Sequence, residues 1–151
     1  MVKVGDNAPD FAVKDQNNQL VKLSDFKGKK VLLSFHPLAW TSVCAKQMKS
    51  LEENAQAFAD ANTVPLGISV DAVPTKRAWA KELGIEKTSL PSDFWPHGAI
   101  AIAYDIFRGN GGTSERANIL VDENQKVAWV KLYPISELPD IAEVLQVIKG
   151  S

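Results

Sequence analysis

Val31-Leu32-Leu33-Ser34-Phe35-His36-Pro37-Leu38-Ala39-Trp40-Thr41-Ser42-Val43-Cys44 is the stretch on which the fold turns. Its first five residues form a short, nearly continuous apolar run of the kind found in central strands covered on both faces. Pro37 ends that strand. From Ser42 to about Ala61, the apolar positions Val43, Met48, Leu51, Ala55, Phe58 and Ala59 recur at roughly helical spacing, with Lys, Glu and Gln between them. This pattern predicts one long helix with Cys44 in its first turn.

Working outward, Lys27-Gly28-Lys29-Lys30 is a turn leading into the strand. Before it, the alternating Gln19–Leu23 can pair with Phe11–Lys14 across Asp15-Gln16-Asn17-Asn18 as a small hairpin. After the long helix, Val64–Val70 is again apolar and β-branched. Pro74–Leu83 then reads as a helix opened by Pro and stopped by Gly84. A third helix is expected over Gly98–Tyr104, after Pro96. Ala117–Asp122 and Val127–Tyr133 are strands joined by Glu123-Asn124-Gln125-Lys126, and Glu137–Lys149 closes the chain as an amphipathic helix. The class is α/β, with a mixed central sheet flanked by helices and an N-terminal hairpin extension. At 151 residues, 45% of them hydrophobic, residues 1–151 are expected to form one domain.

Seventeen Lys and Arg against eighteen Asp and Glu leave a net charge of −1, scattered without blocks, which argues against a nucleic-acid or membrane surface. One cysteine permits no intramolecular disulfide framework and no Cys-rich zinc site, and two distant histidines beside it make no metal-site pattern. Met1–Asp6 is no signal-peptide start, and no 18-residue apolar run follows. The expected location is the cytoplasm, where a thiol stays reduced.

A helix start has backbone N–H groups without intrahelical partners and the positive end of the helix dipole, so it favours an anion. For a cysteine that anion is the thiolate, its nucleophilic form. Thr41, three residues earlier, can face the same small site and orient a polar substrate such as a peroxide through its hydroxyl. On spacing alone two readings stand level: a reactive Cys44, or an inert core cysteine with Thr41 as a helix cap.

The spacing Pro37-x-x-x-Thr41-x-x-Cys44 after an apolar strand resembles the active-site motif of the peroxiredoxins, the AhpC/TSA-type thiol peroxidases. Val4-Gly5-Asp6-Asn7-Ala8-Pro9-Asp10-Phe11, Leu23-Ser24-Asp25-Phe26-Lys27-Gly28-Lys29, Gly67-Ile68-Ser69-Val70-Asp71 and Leu90-Pro91-Ser92-Asp93-Phe94 match the family in the same order, from about Val4 to Val130. The resemblance implies a thioredoxin-like fold. It implies Cys44 as the peroxidatic cysteine, Thr41 as the hydrogen-bonding partner of the peroxide and Pro37 as the cover of the thiolate. Arg116, before the strand Ala117–Asp122, would reach the same pocket, and Gln47 would hydrogen-bond to it. Without the family, Arg116 reads as a solvated charge and Gln47 as a helix-surface residue.

With no second cysteine, the chain resembles the short, one-cysteine AhpE-like group. Its sulfenic acid would need an external thiol: a low-molecular-weight thiol, a thioredoxin or a glutaredoxin-like protein. The family implies a homodimer and no metal, haem or flavin. Three other readings compete. A thiol hydrolase would need His36 or His97 as base, and a disulfide exchanger would need a cysteine where Gln47 stands. The third is a catalytically silent thioredoxin-fold binding protein or holdase. His36 reads as a flat-ring substitute at the strand end or as an electrostatic tuner of the pocket, and His97 as a helix-start residue. Trp40 suits a dimer surface or a lid, and Trp79, Trp95 and Trp129 suit structural packing.

Overall fold

A computed structural model describes all 151 residues. In chain order the elements are β1 (Ala12–Lys14), β2 (Leu20–Lys22), a 3-10 turn (Leu23–Phe26), β3 (Lys30–Phe35), α1 (Ser42–Glu53), α2 (Ala55–Asp60), β4 (Thr63–Ile68), α3 (Val73–Leu83), α4 (Ala99–Ala103), β5 (Phe107–Arg108), β6 (Thr113–Ser114), β7 (Arg116–Val121), β8 (Val127–Tyr133) and α5 (Ile141–Lys149). The central sheet has the order β4-β3-β7-β8. β3 runs parallel to β4 and antiparallel to β7, and β7 runs antiparallel to β8. This is the expected mixed sheet of a thioredoxin-like fold. The hairpin β1–β2 forms as the turn-rich Asp15–Asn18 implies. No helix is long and apolar enough to cross a membrane.

β3 lies inside the sheet, which is why all six of its residues are buried and its sequence lacks alternation. Side chains of a strand still point to opposite faces in turn. Val31, Leu33 and Phe35 join one core, with Phe11, Val21, Ile100 and Tyr104; Leu32 joins the other, with Met48, Phe58, Trp79 and Ile148. Along β7 the same alternation sends Ala117, Ile119 and Val121 to the first core and Leu120 to the second. Arg116, two plus two residues before Leu120, therefore shares the face on which α1 lies.

α1 seats closely on the sheet because β4 carries Gly67: a Cβ there would fall 2.3 Å from Met48 Sδ and 2.8 Å from Leu90 Cδ2. β4 is the edge of the four-stranded sheet, where Pro65 can sit without breaking a ladder on its outer side.

Three expectations are corrected, and one strand pair lies outside them. The helix predicted over Ser42–Ala61 is interrupted at Asn54 (φ −106°, ψ 18°), whose side-chain amide donates to the Ser50 carbonyl at 2.7 Å and competes with the helical ladder. The last helix starts at Ile141 rather than Glu137, because the residue before Pro139 is disfavoured in helical geometry and Asp140 Oδ1 caps by accepting from Ala142 N–H at 3.0 Å. The pair β5–β6, around Gly109-Asn110-Gly111-Gly112, was not anticipated. Trp95, expected to pack structurally, is 79% exposed; Trp79 is buried in the second core.

Candidate active site

β3 hands the chain to a short loop at His36, whose N–H donates to Ile68 O at 3.1 Å. The loop is pinned from the side by Ala39 N–H, which donates to Asp71 Oδ2 at 2.8 Å. Trp40 takes a positive φ of 67°, uncommon for a bulky residue, and reverses the chain into α1. Thr41 is extended at the N-cap position (φ −113°, ψ 152°), and its carbonyl accepts the first helical bond from Ala45 N–H. No side chain caps α1 and no acidic residue lies in its first turn. The positive end of the helix is left unclaimed.

Thr41 is thus at the cap position without capping. Its hydroxyl donates to Leu38 O at 2.7 Å, within its own loop. A hydroxyl whose single proton is committed keeps its lone pairs for accepting. Pro37 is buried beneath the same loop. Pro37, Thr41, Cys44, Arg116 and Ile135 line one cleft of about 260 Å³. All of the residues expected to act together therefore meet there, except Gln47, which stands one layer behind.

Cys44 is 1% exposed, with its sulfur turned toward Arg116. Arg116 Nη1 donates to Cys44 Sγ at 3.4 Å and to Gln47 Oε1 at 2.7 Å. Its Nε and Nη2 both donate to Ile135 O, at 3.0 and 2.8 Å. The solvated-charge reading of Arg116 is excluded, since the residue is 2% exposed. Nor is Gln47 a surface residue: it is buried, with its amide N–H groups on Ser34 Oγ (2.8 Å) and Phe35 O (3.2 Å), which aims its oxygen at the guanidinium.

The ion pairs of the fold are Met1 with Asp105, Arg108 with Glu115 and Lys131 with Glu143. Arg116 has no carboxylate. A buried cation without an anion is costly, and the nearest group able to become one is the Cys44 sulfur. Guanidinium and uncapped helix end converge on that sulfur from protein groups already in place, so negative charge there is stabilised without rearrangement.

Neither histidine can serve as base to the thiol. His36 is fully buried, both ring nitrogens lack partners, and the ring lies on Trp79 with centroids 5.4 Å apart. Burial first, then the nearby Lys76 and Arg116 charges, hold its pKa well below the ordinary value, so it is a neutral flat ring. His97 is bonded to Gly112 O at 2.6 Å, on the β5–β6 turn.

One group escaped the sequence reading. Lys76 is completely buried behind the loop, donating to Ser69 Oγ (2.7 Å) and Gly67 O (3.1 Å). Its signal was present in the spacing: Lys76, Trp79 and Ala80 are the buried face of α3, so the lysine occupies a core position.

The chain as a whole is similar to known proteins. The chain is 38% identical over 141 residues to alkyl hydroperoxide reductase E of Mycobacterium tuberculosis, covering 93% of this chain and 92% of that one. It is 35% identical to the mitochondrial thioredoxin-dependent peroxide reductase of Drosophila melanogaster, covering 99% of this chain and 67% of that protein. Among solved structures, reduced 2-Cys peroxiredoxin of Plasmodium vivax superposes with a TM-score of 0.88 at 31% identity, over 98% of this chain and 81% of that one. Peroxidoxin BcpB of Mycobacterium tuberculosis does so with a TM-score of 0.86 at 26% identity, over 99% and 98%. The AhpC/TSA family model matches residues 4–130, and the chain belongs to the AhpC/TSA family, the peroxiredoxins.

Proposed function

We propose that Cys44 is the peroxidatic nucleophile of this thiol-dependent peroxidase, with Thr41, Arg116 and Pro37 as its immediate partners and Gln47 as the residue that orients Arg116. The carrying observation is the 3.4 Å contact between Cys44 Sγ and a buried guanidinium that has no carboxylate. The thiolate attacks the terminal oxygen of a hydroperoxide in line with the O–O bond. An S–O bond forms, the O–O bond breaks, and its electron pair leaves with the distal oxygen, which takes a proton to become water or an alcohol. Arg116 and the N–H groups at the start of α1 face the charge that develops. Thr41, its proton given to Leu38 O, accepts the hydrogen bond of the peroxide O–H. Pro37 fills the space through which water would otherwise solvate the sulfur.

The product is a sulfenic acid. Cys44 is the sole cysteine, so this is a one-cysteine peroxidase and the reducing equivalents come from outside the chain. A first external thiol condenses with the sulfenic acid to a mixed disulfide and water, and a second releases Cys44 as thiol. A low-molecular-weight thiol, a thioredoxin or a glutaredoxin-like protein meets that requirement. We infer that the protein works in the cytoplasm as a homodimer, with residues 1–151 as one domain; sedimentation at several concentrations tests the dimer. The chemistry is tested by mixing reduced protein with stoichiometric hydrogen peroxide, trapping with dimedone and weighing the intact chain. Wild type gains one dimedone adduct and Cys44→Ser gains none. Unchanged wild-type mass would leave a silent binding protein or holdase as the better account.

A further inference from the structure

Lys76 has no exposed surface, and its ammonium reaches no carboxylate closely enough to form an ion pair. What it does reach is a hydroxyl. An ammonium can only donate, so Ser69 Oγ must accept from Lys76 Nζ at 2.7 Å, which leaves the serine proton for Asp71 Oδ2 at 2.7 Å. That carboxylate oxygen also accepts Ala39 N–H at 2.8 Å. The bonds form one polarised chain from α3, past the end of β4, to the loop between Pro37 and Thr41. Ala39 sits in the middle of that loop, and its amide ties the loop to Asp71, three residues past the end of β4, beyond the tie of His36 N–H to Ile68 O at its start.

We infer that Lys76 is a positioning residue for peroxide reduction, holding the loop of Pro37 and Thr41 over the Cys44 sulfur through Ser69 and Asp71. This rests on Cys44 being the nucleophile, as read above. Lys76 touches neither the sulfur nor the cleft; it acts on groups that do.

The charges around Lys76 come from every element packed against it. Asp71 lies after β4, Asp93 before α4, Cys44 on α1, and the His36 ring, itself within reach of the Arg116 charge, at the end of β3. Burial brings Lys76 down to about 7 although Asp71, Asp93 and Cys44 pull it upward. The ammonium is therefore lost across the neutral range. With it goes the strongly donating form that polarises Ser69, so the loop is held best below that pH and less well above it.

Two rate constants separate this effect from ionisation of the thiol. Alkylation by iodoacetamide needs only the thiolate, whereas oxidation by hydrogen peroxide needs the thiolate and the loop. Their ratio cancels the first requirement. Measured from about pH 6 to about pH 9 on reduced wild type, the ratio is expected to fall as pH rises through the titration of Lys76. The loss of one charge-assisted hydrogen bond corresponds to about tenfold. Lys76→Met and Ser69→Ala are expected to show a low ratio with no pH dependence, and Ser69→Thr, which keeps the hydroxyl, to restore it. Ser69→Ala leaves the lysine in place and decides the matter if Lys76→Met does not fold. A flat wild-type ratio, or a wild-type ratio in Ser69→Ala, overturns the assignment to Lys76 alone. A wild type that alkylates but ignores peroxide overturns the reading of Cys44 as well.

Discussion

Replacing Arg116 by methionine would remove a buried charge while keeping a flexible apolar chain of similar reach. At 3.4 Å between Nη1 and Sγ the pair is in contact, with the charge spread over the guanidinium behind it. Two unit charges about 4 Å apart interact by about 4 kcal/mol at an effective dielectric of about 20. At about 1.4 kcal/mol per decade this corresponds to nearly three decades in rate, an upper figure because the N–H groups of the first turn of α1 remain. A structural cost accompanies it. Gln47 Oε1, buried, loses its donor, a penalty of about 1–3 kcal/mol, whereas Ile135 is exposed enough for water to replace the guanidinium at its carbonyl. Removal of an unpaired buried cation offsets that cost, so the rate carries the test. Arg116→Met should form the sulfenic acid about 100–1,000-fold more slowly. Rapid quenching with dimedone followed by intact-mass analysis measures this. Oxidation within about threefold of wild type, well under one decade, would refute the electrostatic role.

Thr41→Val keeps the shape of the side chain but deletes the acceptor. Peroxide oxidation should slow by about 100-fold while iodoacetamide alkylation of Cys44 stays at its wild-type rate, and parallel losses in both reactions would contradict the role of the hydroxyl. Lys76 carries a stability signature of its own. Its folded pKa is lowered from 10.5 to about 7, so between those values the unfolded chain binds a proton that the folded chain does not, and raising the pH favours folding. The stability of wild type minus that of Lys76→Met, from urea titrations, should be flat below pH 7 and climb above it by up to about 1.4 kcal/mol per pH unit; a difference independent of pH would show that the lysine stays charged.

How far the sequence could be read depended on whether local pattern or tertiary contact decides each feature. β3, β7 and the start of α1 were legible because an apolar run, a proline and a helical period each act within a few residues. The meeting of Arg116 with Cys44 is a tertiary event across 72 residues. Only family resemblance brought those residues together, since an arginine before a strand carries no local mark of burial. Asn54 interrupts a helix through a side-chain bond whose cost no hydrophobic period registers, and the two-residue strands β5 and β6 are too short to have a period at all. The apolar identity of Trp95 suggested a packed site, yet the side chain projects outward. Lys76 was overlooked for the converse reason: its charge suggested solvent, while its place between turns of α3 put it in the interior.

The missing methyl at Gly67 has a consequence for how the reactive centre tolerates change. Met48 lies one helical turn beyond Cys44, and its thioether occupies the space a side chain at position 67 would need. The height of the nucleophile above the sheet is therefore set from below, by a clearance about one carbon wide in a strand that touches neither peroxide nor arginine. Enlarging that residue would act as a shim, tilting the whole catalytic shelf while every reacting group stayed chemically intact.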